Sequence, residues 1–354
     1  MPELKIYVGN NLGGKMKLLI STLLFINLIN LATANNLQVT KKLAYLSTHS
    51  NFSSWGTKAG IGGIKAFEAL QGLKVKKIPR IAIIDTGIDP HHTFLSKNIF
   101  TIVNGRFAKA TTKNFGRDFS NAYKSEKVSY TPFDNHGHGT HVTGIIKSVF
   151  PVAKFLPVKF YNEKASGDDN MINLLKALEF AIKSNVDIIN YSGGGKVAKH
   201  ELMVREKRLI DLAKRKNILI VAASGNDGKN IDIKKNRYFP ASYKSSNILS
   251  VGAYDKNLEF FNRSNYGVDT VHVMAPGKSI ESSHIKGTYI MSGTSQATAF
   301  VSGVAAMLLA SNPNLSVETI KELIIKSSTH KNHFSGKSQG GKLNAYNALA
   351  LASK

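Results

Sequence analysis

Apolar residues in this chain cluster into short runs rather than alternating singly with polar ones. Residues 81–84, 186–189, 218–221 and 248–251 are apolar at nearly every position, as strands are when helices cover both faces of their sheet. Between them, residues 171–183 and 201–216 repeat their apolar side chains at helical spacing, the second segment with a heavily basic outer face. Strand and helix alternating in this way predict an α/β fold, a doubly wound, mostly parallel sheet with helices on both faces, in a single domain. In such a sheet a ligand sits beyond the carboxyl ends of the strands.

Residues 295–310 break the amphipathic rule. Apart from three hydroxyl residues, a glutamine and a glycine, every position is apolar, so the helix predicted here has no polar face and belongs in the middle of the domain. The run 155–160 reads as a further strand, residues 330–342 as a Lys- and Gly-rich loop, and residues 344–352 as a last short helix. Residues 94–130, rich in Lys and Arg, are expected to form a surface loop near the cleft. At the amino end, Met16-Lys17 fits a true start. An apolar stretch over 18–31 and the small residues Ala32-Thr33-Ala34 follow it, a secretory signal pattern with cleavage after Ala34. About fourteen residues are too few for a comfortable membrane span. Residues 1–34 are therefore assigned as upstream extension and signal peptide, 35–54 as a short prosegment or linker, and 55–354 as the working domain of an exported protein.

Composition narrows the chemistry. The chain has no cysteine, which excludes disulfides, zinc-thiolate sites and thiol nucleophiles. Its formal net charge of +24 favours association with anionic surfaces, those of a cell envelope included. No nucleic-acid-binding motif accompanies that charge, so no specific nucleic-acid partner is expected, and the protein is expected to be a monomer.

Four short segments carry polar residues to strand ends or helix starts. Asp85-Thr86-Gly87 directly follows the first strand, a placement equally suited to a turn cap. In His136-Gly137-His138-Gly139-Thr140-His141-Val142 an imidazole stands between glycines as a helix begins. His138 with His136 or His141 also offers ring nitrogens to a metal, but the two histidines four apart with an intervening glutamate that zinc proteases need are absent. Gly293-Thr294-Ser295 opens the all-apolar helix, as a helix cap would. A serine there becomes a nucleophile only if a neutral imidazole, oriented by a carboxylate, takes its proton. Ala222-Ala223-Ser224-Gly225-Asn226 follows another strand, where an amide can face a developing oxyanion or simply form a turn.

Together, in the order Asp, His, Asn, Ser, these segments resemble the three signature boxes and the oxyanion position of the subtilisin-like serine protease family, the subtilases, over residues 55–347. The resemblance implies a serine endopeptidase with Asp85, His138 and Ser295 as the triad. It also implies an oxyanion hole made by Asn226 and the Ser295 amide, and an acyl-enzyme formed from protein or peptide substrates. A general base that must be neutral predicts activity rising through neutral pH to an alkaline plateau. Asn190-Tyr191-Ser192-Gly193-Gly194 matches the segment that pairs with an extended substrate, with Ser192, Gly193 and Gly194 as substrate contacts. Gly193 replaces a larger apolar residue and predicts an open subsite. Asp227 matches the rim of the primary pocket, where an acid would favour basic residues.

The chain departs from the family in places. Ala299 stands where proline ends the serine box and Gln296 where methionine is usual. The usual calcium loop between the histidine helix and the next strand is expected to be missing, so no metal is expected there and none is needed for the chemistry. The alternative reading is a catalytically inactive subtilase-fold binding protein that uses its basic surface. A phosphate-binding loop at Gly277-Lys278-Ser279 or Gly336-Lys337-Ser338 is excluded, because His272 and Lys331 occupy the places of the required upstream glycine.

Overall fold

The computed structural model describes residues 54–353 apart from Ala59, Glu126, Val197 and Ala198; the signal, prosegment and cleavage assignments lie outside the described residues. In chain order the elements are α1 (Ala66–Gln71), β1 (Arg80–Asp85), β2 (Phe100–Val103), β3 (Arg106–Lys109), β4 (Arg117–Asp118), α2 (His138–Val149), β5 (Lys154–Lys159), α3 (Gly167–Lys183), β6 (Ile188–Tyr191), α4 (His200–Arg215), β7 (Leu219–Ala223), β8 (Ile248–Tyr254), β9 (Val273–Pro276), β10 (Ile280–His284), β11 (Gly287–Met291), α5 (Thr294–Ser311), α6 (Val317–Ser327) and α7 (Ala345–Ala352).

Seven of the strands form one parallel sheet in the order β4-β5-β1-β6-β7-β8-β9. From β1 the chain passes through the edge strand β4 to β5 on one side, then crosses to add β6 on the other. The connections leaving β1 and β6 therefore run to opposite sides, and the crevice between these two strands opens at their carboxyl ends, where Asp85 is the last residue of β1 and Tyr191 the last of β6. Two apolar cores flank the sheet. One, holding Ile83, Ile188, Val221 and Val251, is closed by α2 and α5; the other, holding Ile84, Ile189, Ile220 and Tyr191, is closed by α3 and α4.

Helix α5 behaves as its sequence predicts. Every residue from Thr294 to Ala310 is buried, and the helix packs on α2 as well as on β6, β7, β8 and β9. A stem with no exposed face leaves its amino end little freedom to move, and that end carries Ser295.

The segment between Asp85 and His138 differs from expectation. Instead of a loop at the cleft, it forms the antiparallel hairpin β2–β3 and the edge strand β4, which pairs with β5. It encloses a small apolar core of Ile88, Leu95, Ile99 and Phe115. The Arg117 guanidinium lies over the Tyr130 ring at 4.1 Å and donates to the Ile102 carbonyl at 3.0 Å. The basic residues hid the strand pattern, because long cationic side chains can cover apolar surface while keeping their heads in water.

Candidate active site

The histidine segment is organised by a residue the sequence reading passed over. Asp134, 5% exposed, accepts at Oδ1 from Thr86 Oγ1 (2.8 Å), His136 N (3.0 Å) and Gly137 N (2.7 Å), and at Oδ2 from Thr140 N (2.9 Å) and Thr140 Oγ1 (2.7 Å). Burial opposes its ionisation, but the hydrogen bonds from Thr140, Gly137 and Thr86 prevail and hold its pKa below the ordinary carboxylate value. An anion at the start of α2 also suits the helix dipole. Thr86 Oγ1 in turn accepts from Gly139 N at 2.9 Å, tying the end of β1 to the helix start. The two segments approach so closely that a Cβ on Gly139 would lie 2.1 Å from the Gly87 carbonyl oxygen. The spacing of Asp134 four residues before His138 was the available signal.

This bracing brings His138 Nδ1 to 2.7 Å from Asp85 Oδ1, which also accepts from Thr86 N at 2.8 Å. A carboxylate can only accept, so Nδ1 carries the proton and Nε2 of the neutral ring is left with its lone pair. Burial disfavours the imidazolium, but the charge and hydrogen bond of Asp85, with the charge of Asp134, outweigh it and raise the His138 pKa above its ordinary value.

On the opposite side Ser295 is 8% exposed, and its Oγ donates to the Ser192 carbonyl at 2.8 Å rather than to His138. Ser192 Oγ returns the contact to the Ser295 carbonyl at 3.1 Å, and Asn190 Nδ2 donates to Ser192 Oγ at 2.8 Å. Ser302 Oγ, two turns along α5, donates to Asn190 Oδ1 at 2.8 Å. This buried chain fixes the end of β6 against α5; Asn190 and Ser302 were not anticipated as its members.

Asn226 Oδ1 accepts from Thr294 N at 2.9 Å and Thr294 Oγ1 at 3.1 Å. Those two donors fix the orientation of the amide and turn Nδ2 the other way, with no hydrogen-bond partner among the described residues. The first-turn N–H of Ser295 is likewise without an intrahelical acceptor. Asn265, also unanticipated, holds the loop by accepting from Asp227 N (3.1 Å) and Lys229 N (2.9 Å) and donating to the Ser224 carbonyl (2.9 Å).

Asp85, His138, Asn226 and Ser295, with Ser192, Gly193 and Gly194, all line one cavity of 540 Å³. No described residue of 94–130 contributes to it. Neither Gly193 nor Gly194 makes a backbone hydrogen bond among the described residues, which leaves an edge open to an extended chain. Asp227 is exposed and does not line the cavity; its influence on a bound cation runs through solvent, where salt screens it.

The two other histidines of this segment are otherwise engaged. Buried His141 donates from Nε2 to the carbonyls of Ile280 (3.1 Å) and Tyr289 (3.0 Å), clasping the β10–β11 hairpin, and burial lowers its pKa to about 4. The His136 ring packs edge-on to His138 with centroids 6.2 Å apart. Among the described residues no three His, Asp or Glu side chains converge as a metal cradle. Four residues, 150–153, link α2 to β5.

Comparison with known proteins gives the same frame. Subtilisin DY of Bacillus licheniformis is 31% identical over 283 residues, covering 77% of this chain and 91% of that protein. Subtilisin E of Bacillus subtilis is 32% identical over 285 residues, 77% of this chain and 66% of that one. Among solved structures, the epidermin leader peptide processing serine protease of Staphylococcus aureus superposes with a TM-score of 0.67 at 23% identity, over 85% of this chain and 81% of that one. The family model described as the Subtilase family (peptidase S8) matches residues 76–345. With a matching family model over most of its length, the chain belongs to the subtilases and is a serine endopeptidase of the subtilisin type.

Proposed function

We propose that this protein is a secreted endopeptidase in which Ser295 attacks the peptide carbonyl of an extended substrate lying along Ser192, Gly193 and Gly194. The Ser295 hydroxyl proton passes to His138 Nε2 as the Oγ–C bond forms, and Asp85 holds the imidazole in the required tautomer. Asn226 Nδ2 and the Ser295 N–H receive the oxyanion. Collapse breaks the C–N bond, the His138 proton leaves with the amine, and water repeats the sequence to free the acyl group. Export, with removal of residues 1–34, rests on the signal pattern alone.

The observation that carries this reading is the 2.7 Å Nδ1–carboxylate contact in a cavity that Ser295 shares. The Ser295 hydroxyl, now on the Ser192 carbonyl, needs only a side-chain rotation to leave it, and such contacts tighten when substrate binds. The test compares wild type with Ser295→Ala on casein and on a peptide library, with labelling by a fluorescent organophosphonate. The expected outcome is labelled wild type and a loss of about 10⁴- to 10⁶-fold in kcat for the variant. An unlabelled wild type, or a variant that keeps its activity, would leave the inactive binding scaffold as the better account.

A further inference from the structure

The cavity does not end at the reacting groups. Past Gly193 it continues to a wall that includes Met171, Leu174, Tyr191 and Glu206. A Cβ on Gly193 would meet only the Phe160 ring (3.8 Å) and the Tyr191 ring (3.9 Å), so the missing side chain opens the space directly in front of Tyr191. The Tyr191 hydroxyl donates to Glu206 Oε1 at 2.9 Å. Room left by a glycine thus leads along an aromatic ring to a carboxylate.

Glu206 is out of place by its surroundings. On the buried face of α4 it keeps company with Leu202, Ile210 and Ala213, and it is 1% exposed. Its Oε2 is buried and accepts no hydrogen bond among the described residues; the neighbouring Tyr243 hydroxyl donates instead to the Met203 carbonyl at 3.1 Å. Native proteins rarely leave a buried carboxylate oxygen unpaired, since doing so costs the full desolvation of that atom. An aliphatic side chain would fill the position without that cost. A partner that arrives with the ligand accounts for both the acid and the empty space in front of it.

We propose that this branch of the cleft binds a cationic substrate side chain, Lys or Arg, with its head group on Glu206 Oε2 and its stem along the Tyr191 ring. A long aliphatic stem with a charged tip matches a passage that is apolar along its sides and acidic at its end. Two other charges border the branch. Asp168, already paired with Lys199 at 3.1 Å, and the exposed Lys196 both stand nearer solvent, where water and salt weaken them relative to a buried group. Burial raises the Glu206 pKa to about 7, with the Tyr243 and Tyr191 hydroxyls only partly offsetting it, so a bound cation also draws the group into its ionised form.

This inference rests on the proteolytic reading, and its test separates the two. Wild-type protein is given, at pH 8, a peptide library in which arginine, its uncharged isostere citrulline, lysine and norleucine are scanned through every position, with phosphonate labelling in parallel. The expected result is one position, distinct from the one preceding the scissile bond, where arginine exceeds citrulline and lysine exceeds norleucine by about tenfold or more in kcat/KM. Glu206→Gln should shrink that ratio at the same position. Absence of labelling overturns the catalytic reading. A labelled enzyme that cleaves with equal rates for charged and uncharged members, or that cleaves no member of the library, overturns the cationic subsite, as does a ratio unchanged by Glu206→Gln. Should that variant fail to fold, the arginine–citrulline comparison in wild type decides alone.

Discussion

At the His138 end of the cleft, Asp134 is buried yet accepts five hydrogen bonds, and its pKa is pulled below the ordinary value. At the far end Glu206 is buried more deeply, accepts one hydrogen bond, from Tyr191, while the neighbouring Tyr243 hydroxyl donates to the Met203 carbonyl, and is pushed up to about 7. Burial is common to both, so the donors around each oxygen make the difference. The first arrangement is complete in itself and suits a brace that must not change during turnover. The second is incomplete, which suits a group that waits for something else to bind.

The comparison can be broken most severely at Asp85, the carboxylate that Asp134 helps to place. Asp85→Asn is expected to lower kcat by about 10⁴-fold, because an amide at this position no longer requires the proton to sit on Nδ1. Steady-state kinetics on a peptide substrate check it, and a loss under about tenfold would show that the 2.7 Å contact is not part of the machinery.

Asp134→Asn probes the brace. The new NH₂ must face either the Thr140 N–H or the group of Thr86, His136 and Gly137 donors, and neither side can turn away fully. Stability should fall by about 2–4 kcal/mol in urea unfolding. A second readout separates placement from mere folding: the charge of Asp134 helps to raise the His138 pKa, so removing it should shift the acid limb of the kcat/KM profile to lower pH. An unmoved limb would reduce Asp134 to a folding element.

The architecture was legible in the chain because parallel strands covered on both sides cannot hide their apolar runs, as at 81–84, and because α5 has no polar face to disguise it. Strands β9, β10 and β11, and helices α1 and α6, were missed. Glu281, Ser282, Ser283 and His284 give β10 no apolar alternation, and the hairpin is held instead by carbonyl contacts to His141, which no local pattern reveals. The predicted site residues do converge, except that Asp227 stays outside the cavity. What sequence could not supply was the second rank: Asp134, Asn190, Asn265 and Ser302 act through hydrogen bonds spanning up to 112 residues. Glu206 was invisible for another reason. In a helix with a heavily basic outer face, one more charged residue looks like solvated surface until the fold turns it inward.

The gentlest way to sharpen the contrast is to leave activity aside and measure stability against pH. For Glu206 the folded pKa of about 7 lies above the ordinary value of 4.5. Below about 4.5 both folded and unfolded chains hold the proton, and the full contribution is present. As pH rises towards 7 the unfolded chain releases its proton while the folded one keeps it, so stability drains away by up to about 3 kcal/mol and levels off above 7. Asp134 has the opposite sign, since its lowered pKa gives a contribution that is present above about 3.8 and disappears on acidification. His141, neutral in its buried site with a pKa of about 4, also costs stability as pH falls from 6.5. The raw profile therefore mixes slopes, and the quantity to read is the difference between wild type and Glu206→Gln at each pH, in which the unchanged groups cancel. That difference should move steadily in favour of the variant between pH 4.5 and 7 and stay flat above. A difference independent of pH would mean that Glu206 ionises as freely in the fold as in the open chain, and the two ends of the cleft would no longer differ in kind.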